Sequence, residues 1–187
     1  MRRVVNSTNV SLDGLIGRME LWHFDYVDEE MSTIVAKDLA ACDALLMGRA
    51  TYDVFAQAWP ARTGDPVADK FNAMKKYVAS TTLTDPEWNN TTVIEGDLAE
   101  AVAKLKEQPG QDIMVYGIGP VTRTLLDNDL LDDLRLWVHP VLVGTGEPGD
   151  MLFGEVATTK LDLVDVKALS SGVALLTYGR PGGTAGS

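Results

Sequence analysis

A chain of 187 residues, 45% of them hydrophobic, holds enough apolar material for one ordinary core. Its 16 basic residues against 27 acidic ones leave a formal charge of −11, which excludes nucleic acid and anionic membranes as partners, because neutralising phosphates takes a basic patch. Cys42 is the only cysteine, so neither an intrachain disulfide nor a cysteine-based metal cluster can form, and two histidines supply no metal-ligand pattern.

The N-terminal stretch turns polar at Asn6, too early for a signal-peptide apolar region, and no apolar run reaches membrane-spanning length; a cytoplasmic address is expected. Arg2 to Val10 is a first predicted strand, entering a loop at Ser11-Leu12-Asp13-Gly14. Val27, Met31, Ile34, Val35, Asp38, Leu39 and Cys42 recur at helical spacing and predict a helix with one apolar face. Ala44-Leu45-Leu46-Met47 is wholly apolar and closed by Gly48, as in a strand buried on both faces of a parallel sheet. Tyr77-Val78-Ala79 is another such run, ended by Ser80-Thr81-Thr82, and Thr91 to Ile94 is a further short one.

Asp97 is placed to cap a helix with Glu100 as its capping-box partner, and Leu98, Ala101, Val102 and Leu105 supply that helix's buried face. Ile113-Met114-Val115-Tyr116 is a third buried strand, followed by Gly117-Ile118-Gly119-Pro120 and a helix carrying Val121, Thr124 and Leu125. Pro120 suits a first helical position, where its missing N–H has no partner to lose. Leu134 to Val143 reads as a long strand. Leu161–Val166 and Val173–Tyr178, with no helical segment between them, read as an antiparallel hairpin. The alternation predicts an α/β chain: a mostly parallel sheet, helices on both faces and an antiparallel C-terminal edge. One domain over residues 1–180 is expected, with a disordered Gly- and Ser-rich tail at 181–187.

The chemistry sits at the strand ends. Gly117 and Gly119 close a strand just before a helix, which lets backbone approach a phosphate and aims the helix's free N–H groups at it; the same glycines also suit a plain tight turn. The segment is not the G-x-G-x-x-G fingerprint, since position 122 is Thr. Gly48 repeats the arrangement with Arg49, able to fork onto a phosphate, and Thr51, able to donate to one. Ser80 and Thr81 add hydroxyls at a third strand end. Ligands of open α/β sheets bind outside the carboxyl ends of the strands, so three such ends in succession point to one long polyphosphate ligand. Leu142-Val143-Gly144-Thr145-Gly146 borders the same cleft or is a simple strand exit. Asp13, with Trp22 and His23 nearby in sequence, is a candidate for orienting a polar heterocycle or relaying a proton, against the alternative of an ordinary Asp-Gly turn. His139, Trp59 and Trp137 are read as packing residues.

In their order, Ser11-Leu12-Asp13-Gly14, Asp43-Ala44-Leu45-Leu46-Met47-Gly48-Arg49-Ala50-Thr51-Tyr52, Tyr116-Gly117-Ile118-Gly119, Leu131-Asp132-Asp133-Leu134-Arg135-Leu136 and Pro140-Val141-Leu142-Val143-Gly144-Thr145-Gly146 resemble the dihydrofolate-reductase-like proteins. More narrowly, the chain resembles free-standing relatives of the C-terminal reductase domain of the bacterial riboflavin-pathway deaminase–reductase, over about residues 2 to 180. The resemblance implies a three-layer fold with a sheet of about eight strands that binds NADPH across its C-terminal edges. It implies that Gly48, Arg49 and Thr51 contact phosphate, that Ser80 and Thr81 lie by the adenosine ribose and its 2′-phosphate, and that Gly117, Ile118 and Gly119 underlie the pyrophosphate and nicotinamide. Arg49 with the hydroxyls at 80–81 favours NADP over NAD. Asp13 matches an acidic position near the substrate and is the expected catalytic residue, with Trp22 beside it as a substrate contact. A homodimer is implied as well.

Two departures matter. The zinc motifs of the deaminase half are absent, and the lysine common in the first strand of riboflavin-type reductases has no counterpart in Asn6-Ser7-Thr8-Asn9. The expected activity is hydride transfer from NADPH to a C=N or C=O group of a small, heterocyclic substrate, similar to 5-amino-6-(5-phosphoribosylamino)uracil reductase. The alternative is a non-catalytic nucleotide- or pterin-binding protein of the same fold.

Overall fold

In a computed structural model that describes residues 1–152 and 158–182, eight hydrophobic runs become strands. They are β1 (Val4–Ser11), β2 (Cys42–Gly48), β3 (Lys75–Ala79), β4 (Thr91–Ile94), β5 (Asp112–Tyr116), β6 (Asp133–His139), β7 (Asp162–Ala168) and β8 (Ala174–Gly179). All join one sheet in the order β4-β3-β2-β5-β1-β6-β8-β7. The first six strands pair in parallel, whereas β8 runs antiparallel to both β6 and β7. The expected C-terminal hairpin therefore forms, with β8 inside and β7 at the edge.

Among the described residues, five α-helices cover the sheet: α1 (Glu29–Ala40), α2 (Arg49–Ala58), α3 (Pro66–Ala73), α4 (Leu98–Glu107) and α5 (Pro120–Asp127). The alternation of strand side chains sorts the core into two sides. Val4, Ala44, Leu46, Ile113 and Val115 pack with Val102, Leu105, Val121 and Leu125 from α4 and α5. Val5, Leu45, Met47 and Met114 pack with Leu39, Tyr52 and Phe71 from α1, α2 and α3. Leu45 and Leu46 are completely buried on opposite faces, as a central parallel strand requires. Among the described residues, no helix is long and apolar enough to cross a membrane.

Three expectations are corrected. The first helix does not reach Cys42, which instead opens β2 opposite Asp112. Asp28 fixes the helix start by accepting from the Met31 N–H (2.8 Å), and the Ala41 carbonyl is taken by the Asp112 N–H (3.1 Å), so sheet pairing wins over helical periodicity there. The long strand predicted to Val143 ends at His139, because Pro140 has no N–H to continue a ladder. Asp97 does cap α4, accepting from the Glu100 N–H (2.8 Å), but the Glu100 carboxylate turns toward Lys104 (3.9 Å) instead of closing a box. In the expected tail, Gly182 N–H donates to Asp162 (3.0 Å); residues 183–187 lie outside the described ones.

Two buried polar groups brace loops at opposite ends of the sheet. The Lys76 ammonium, fully buried in β3, donates to the carbonyls of Asn72, Met74 and Asn89 (2.9–3.1 Å) and sits 4.3 Å from the Trp88 ring centre. It ties the entry of β3 to the segment before β4. On the other side, the loop after β1 folds through two 3-10 turns, Met19–Leu21 and Phe24–Tyr26, and is pinned to the end of β6 by a histidine pair. His139 Nδ1 faces the Trp137 carbonyl at 2.9 Å and must donate to it, which leaves Nε2 to accept from His23 Nδ1 at 3.1 Å. Trp22 packs edge-on against His139 at 5.1 Å, and Tyr26 does so at 5.5 Å. Burial, reinforced by His139, pushes His23 down to about 4, and burial lowers His139 too. Both rings are thus neutral at pH 7.

A histidine whose folded pKa is depressed contributes stability that is present above pH 6.5 and lost as pH falls toward 4. For a half-buried ring the loss is about 2 kcal/mol after allowance for solvent screening. His23→Phe should therefore be less stable than the parent by about 1 kcal/mol at pH 7.5, from the lost hydrogen bond. That deficit should shrink or reverse by pH 4.5. Urea unfolding at both pH values checks this, and parallel stability curves would count against the latch.

Candidate functional site

Registers decide which strand ends meet. Leu46 lies opposite Val115 and Gly48 opposite Ala79, so β3, β2 and β5 finish at one level, side by side. β1 and β6 do not stop there. β5 pairs with β1 only as far as Tyr116 opposite Ser7, whereas β1 and β6 continue together to Ser11 opposite His139. The sheet therefore has a step, and among the described residues the β5-facing edge of β1 has no strand neighbour from Thr8 onward. The chain leaves β1 toward α1 on one face and β5 toward α5 on the other, which opens a crevice between them.

The structure brings the predicted phosphate-binding residues to this edge. Gly48, Arg49 and Thr51 form the N-cap and first turn of α2, and Thr51 Oγ1 lies 4.0 Å from where a Cβ on Gly117 would stand. Arg49 is exposed but held: its Nε is 2.8 and 2.9 Å from the Asp53 oxygens, and Nη1 is 3.2 Å from Thr82 Oγ1. That contact joins the β2 end to the β3 end. Ser80 Oγ accepts from the Thr82 and Leu83 N–H groups (3.2 and 3.1 Å), shaping the turn, and Thr81 is exposed beside it. Gly117 has φ +74°, a conformation open to glycine; Gly119 caps α5 in extended backbone, with nothing within 4 Å of where its Cβ would be.

The helix caps differ by location. α1, α3 and α4 are capped by Asp28, Asp65 and Asp97, whose carboxylates accept N–H groups of the first turn. α2 and α5, the helices that start at this edge, begin with Gly48 and Gly119 and have no side-chain cap. Their orphan N–H groups and positive dipole ends face the strand-end cleft, where they suit an anion.

Asp13 and Trp22 have different surroundings from those expected. The Asp13 carboxylate accepts from the Ser11 hydroxyl (2.6 Å), the Gly144 N–H (2.8 Å) and the Val143 N–H (3.1 Å). These bonds, that of Ser11 first, hold it down to about 2. An anion so bound clamps the 140–146 loop onto the loop after β1 and is not placed to hand over a proton near neutrality. The Gly144-Thr145-Gly146 segment accordingly lies against the loop after β1. Trp22 is 3% exposed, donates its indole N–H to the Gly17 carbonyl (3.0 Å) and packs on His139 at the end of β6, so it is a buried packing residue of its loop.

Three residues at the site gave no signal in the functional reading. Asn6, Thr8 and Thr122 are all buried, at 0%, 3% and 1% exposure. Asn6 Nδ2 donates to the Gly117 carbonyl (2.7 Å) and to Thr122 Oγ1 (3.2 Å), Thr122 Oγ1 donates to the same carbonyl (3.1 Å), and Thr8 Oγ1 donates to Asn6 Oδ1 (2.8 Å). The available signal was polarity at core positions: Asn6 and Thr8 interrupt the apolar face that Val4 and Val10 share.

The family model of the RibD C-terminal domain matches residues 2–175. The Bacillus subtilis (strain 168) protein YyaP is 33% identical over 184 residues, which cover 95% of this chain and 94% of YyaP. Among solved structures, a Shewanella sp. PV-4 protein whose name refers it to riboflavin biosynthesis superposes with a TM-score of 0.71 at 22% identity, covering 96% of this chain and 99% of its own. A Thermotoga maritima diaminohydroxyphosphoribosylaminopyrimidine deaminase/5-amino-6-(5-phosphoribosylamino)uracil reductase superposes with a TM-score of 0.67 at 15% identity, over 96% of this chain but 56% of that one. At such identities the two likenesses speak for the fold, a dihydrofolate-reductase-like sheet with its antiparallel C-terminal strands. Sequence match and architecture agree, and the chain belongs to the RibD C-terminal domain family.

Proposed function

We propose that this chain is an NADPH-dependent reductase of a small, uncharged heterocyclic substrate. The observation that carries the reading is the pair of side-chain-uncapped helix N-termini, α2 and α5, at neighbouring strand ends with Arg49 beside them. The donor set fits a dinucleotide phosphate: first-turn N–H groups of both helices, the Arg49 guanidinium and the Thr51 hydroxyl. The space beside Gly119 is one that a larger side chain would fill. Arg49, with Ser80 and Thr81, would hold the 2′-phosphate, and Gly117, Ile118 and Gly119 would lie under the pyrophosphate and nicotinamide. When bound, the nicotinamide supplies hydride to a C=N or C=O carbon.

The protein's own part is binding, orientation and exclusion of water. Asp13 is a positioning residue in this reading, since its carboxylate joins the two loops that close over the cleft. The product's proton then comes from solvent. Substrate charge follows from the same loops. Residues 11–27 carry Arg18 against Asp13, Glu20 and Asp25, and residues 140–152 carry Glu147 and Asp150 with no Lys or Arg. Such walls repel a phosphorylated substrate, and exposed Leu12, Leu21, Phe24 and Leu142 offer apolar edges instead. A binding-only role is favoured by one fact, the lack of a near-neutral proton donor at Asp13.

We also propose a homodimer through β7, an edge strand with Leu163, Val164 and Val166 exposed at 55%, 39% and 55%.

Fluorescence titration with NADPH tests the central claim, and an absence of binding at micromolar concentrations would refute it. Gly119→Val should fold normally, because its φ of −169° is ordinary extended backbone with open space around it. It should nevertheless weaken NADPH binding at least tenfold, roughly 1.4 kcal/mol. Arg49→Ala should raise the Kd for NADPH about tenfold while changing that for NADH little. NADPH oxidation over a panel of carbonyl and imine heterocycles separates turnover from binding alone. Light scattering on Val166→Lys, which should be monomeric, checks the dimer.

A further inference from the structure

We infer that Asn6, Thr8 and Thr122 are positioning residues that set the orientation of the Gly117–Ile118 peptide and so present the Ile118 N–H to the dinucleotide. The inference rests on the reading of the cleft as an NADPH site. Its physical basis is the peptide plane. In a trans peptide the carbonyl and the following N–H point in opposite directions, and the described chain contains no cis peptide bond. The Gly117 carbonyl is drawn inward by two donors, Asn6 Nδ2 and Thr122 Oγ1. The Ile118 N–H must then point out of the core, and within the described residues it has no hydrogen-bond partner.

The arrangement is determined from two sides. A flip of this peptide turns on ψ of Gly117, which glycine leaves loosely determined, and on φ of Ile118, a β-branched residue that is outside the positive-φ region and disfavours entering it. A flipped peptide would bury the N–H against Asn6 Nδ2 and Thr122 Oγ1 while turning the carbonyl outward, toward a ligand made of phosphates. Thr8 favours the observed setting of the Asn6 amide: its hydroxyl donates to Oδ1, which leaves Nδ2 aimed at Gly117, and a rotated amide would have to exchange that bond for one in which the Thr8 hydroxyl accepts. Thr8 therefore acts two steps away from the cleft, through Asn6. With the carbonyl inward, Asn6 Nδ2, Asn6 Oδ1, Thr8 Oγ1 and Thr122 Oγ1 all have partners.

Crystal structures of the ligand-free protein and of Thr122→Val, Thr122→Ser and Asn6→Leu, with Kd for NADPH and Tm for each, test the inference. Thr122→Val keeps the side chain's shape and loses the hydroxyl; Thr122→Ser keeps the hydroxyl. The expected result is a flipped or disordered Gly117–Ile118 peptide in Thr122→Val and Asn6→Leu, with NADPH binding weakened about tenfold in Thr122→Val and restored to within about threefold by Thr122→Ser. Lys76→Met serves as the control, since it should lower Tm and leave the Kd unchanged. If Asn6→Leu does not fold, Thr122→Val still decides. An unmoved peptide in Thr122→Val, or an affinity loss no larger than that of Lys76→Met, would overturn the inference. If the parent chain binds no NADPH, the functional reading fails, while the ligand-free structures still settle what holds the peptide.

Discussion

The cleft exists because two neighbouring parallel strands have different lengths. β1 is held along its far side by β6 as far as Ser11, so it runs on after β5 has ended at Tyr116. A strand kept in the sheet from one side only exposes unpaired backbone along the other, and that edge forms the wall of the step. The floor is the Gly117 turn. Above it, the loop after β1 folds back, and the Asp13 carboxylate and the His23–His139 pair fasten it to the segment after β6. The wall and both fastenings depend on β1 staying in register with β6.

Burying Asn6 in the middle of this sheet has a cost that decides where the turn points. An unpaired amide in such a place costs roughly 1–3 kcal/mol. The Gly117 carbonyl, Thr122 and Thr8 together satisfy it. An apolar residue here would pack as well as Val4 or Val10 on the same face, but it would leave the Gly117 carbonyl to Thr122 alone. The polar core position thus stabilises one state of a turn that glycine by itself leaves loose.

Much of the architecture was legible in the sequence. Ala44–Met47 and Ile113–Tyr116 read as central strands because they are apolar at every position, and the C-terminal hairpin read correctly from the lack of a helical segment between its strands. Local reasoning failed where a distant partner decided. Cys42 fits the helical period, yet the pairing with Asp112, 70 residues later in the sequence, claims it for β2. Pro140 ends β6 for a purely local reason that was outweighed by the apolar run after it. At the cleft, strand-end glycines announced themselves through residue type and position. Asp13 and Trp22 are the types that chemistry uses, but their partners, Val143, Gly144 and Gly17, are fixed by loop geometry. Asn6, Thr8 and Thr122 look like ordinary polar residues until β1, β5 and α5 are brought together.

On the proposed reading, an acidic chain must hold a polyanion by attraction that acts at contact. At physiological ionic strength the field of a surface charge decays over about 8 Å. Most of the 27 carboxylates are then screened from the cleft, and what matters is the set of groups that touch the ligand. Asp53 lies against Arg49 and offsets part of that residue's attraction for phosphate. The same ion pair fixes the guanidinium toward Thr82 and the β3 end, so charge is exchanged for orientation. The remaining donors are peptide N–H groups, which carry no net charge and lose little to salt. A site built as proposed would discriminate through geometry: the ligand's several phosphates would have to reach α2, α5 and Arg49 at once, and a ligand that reaches only one of them would gain little over water.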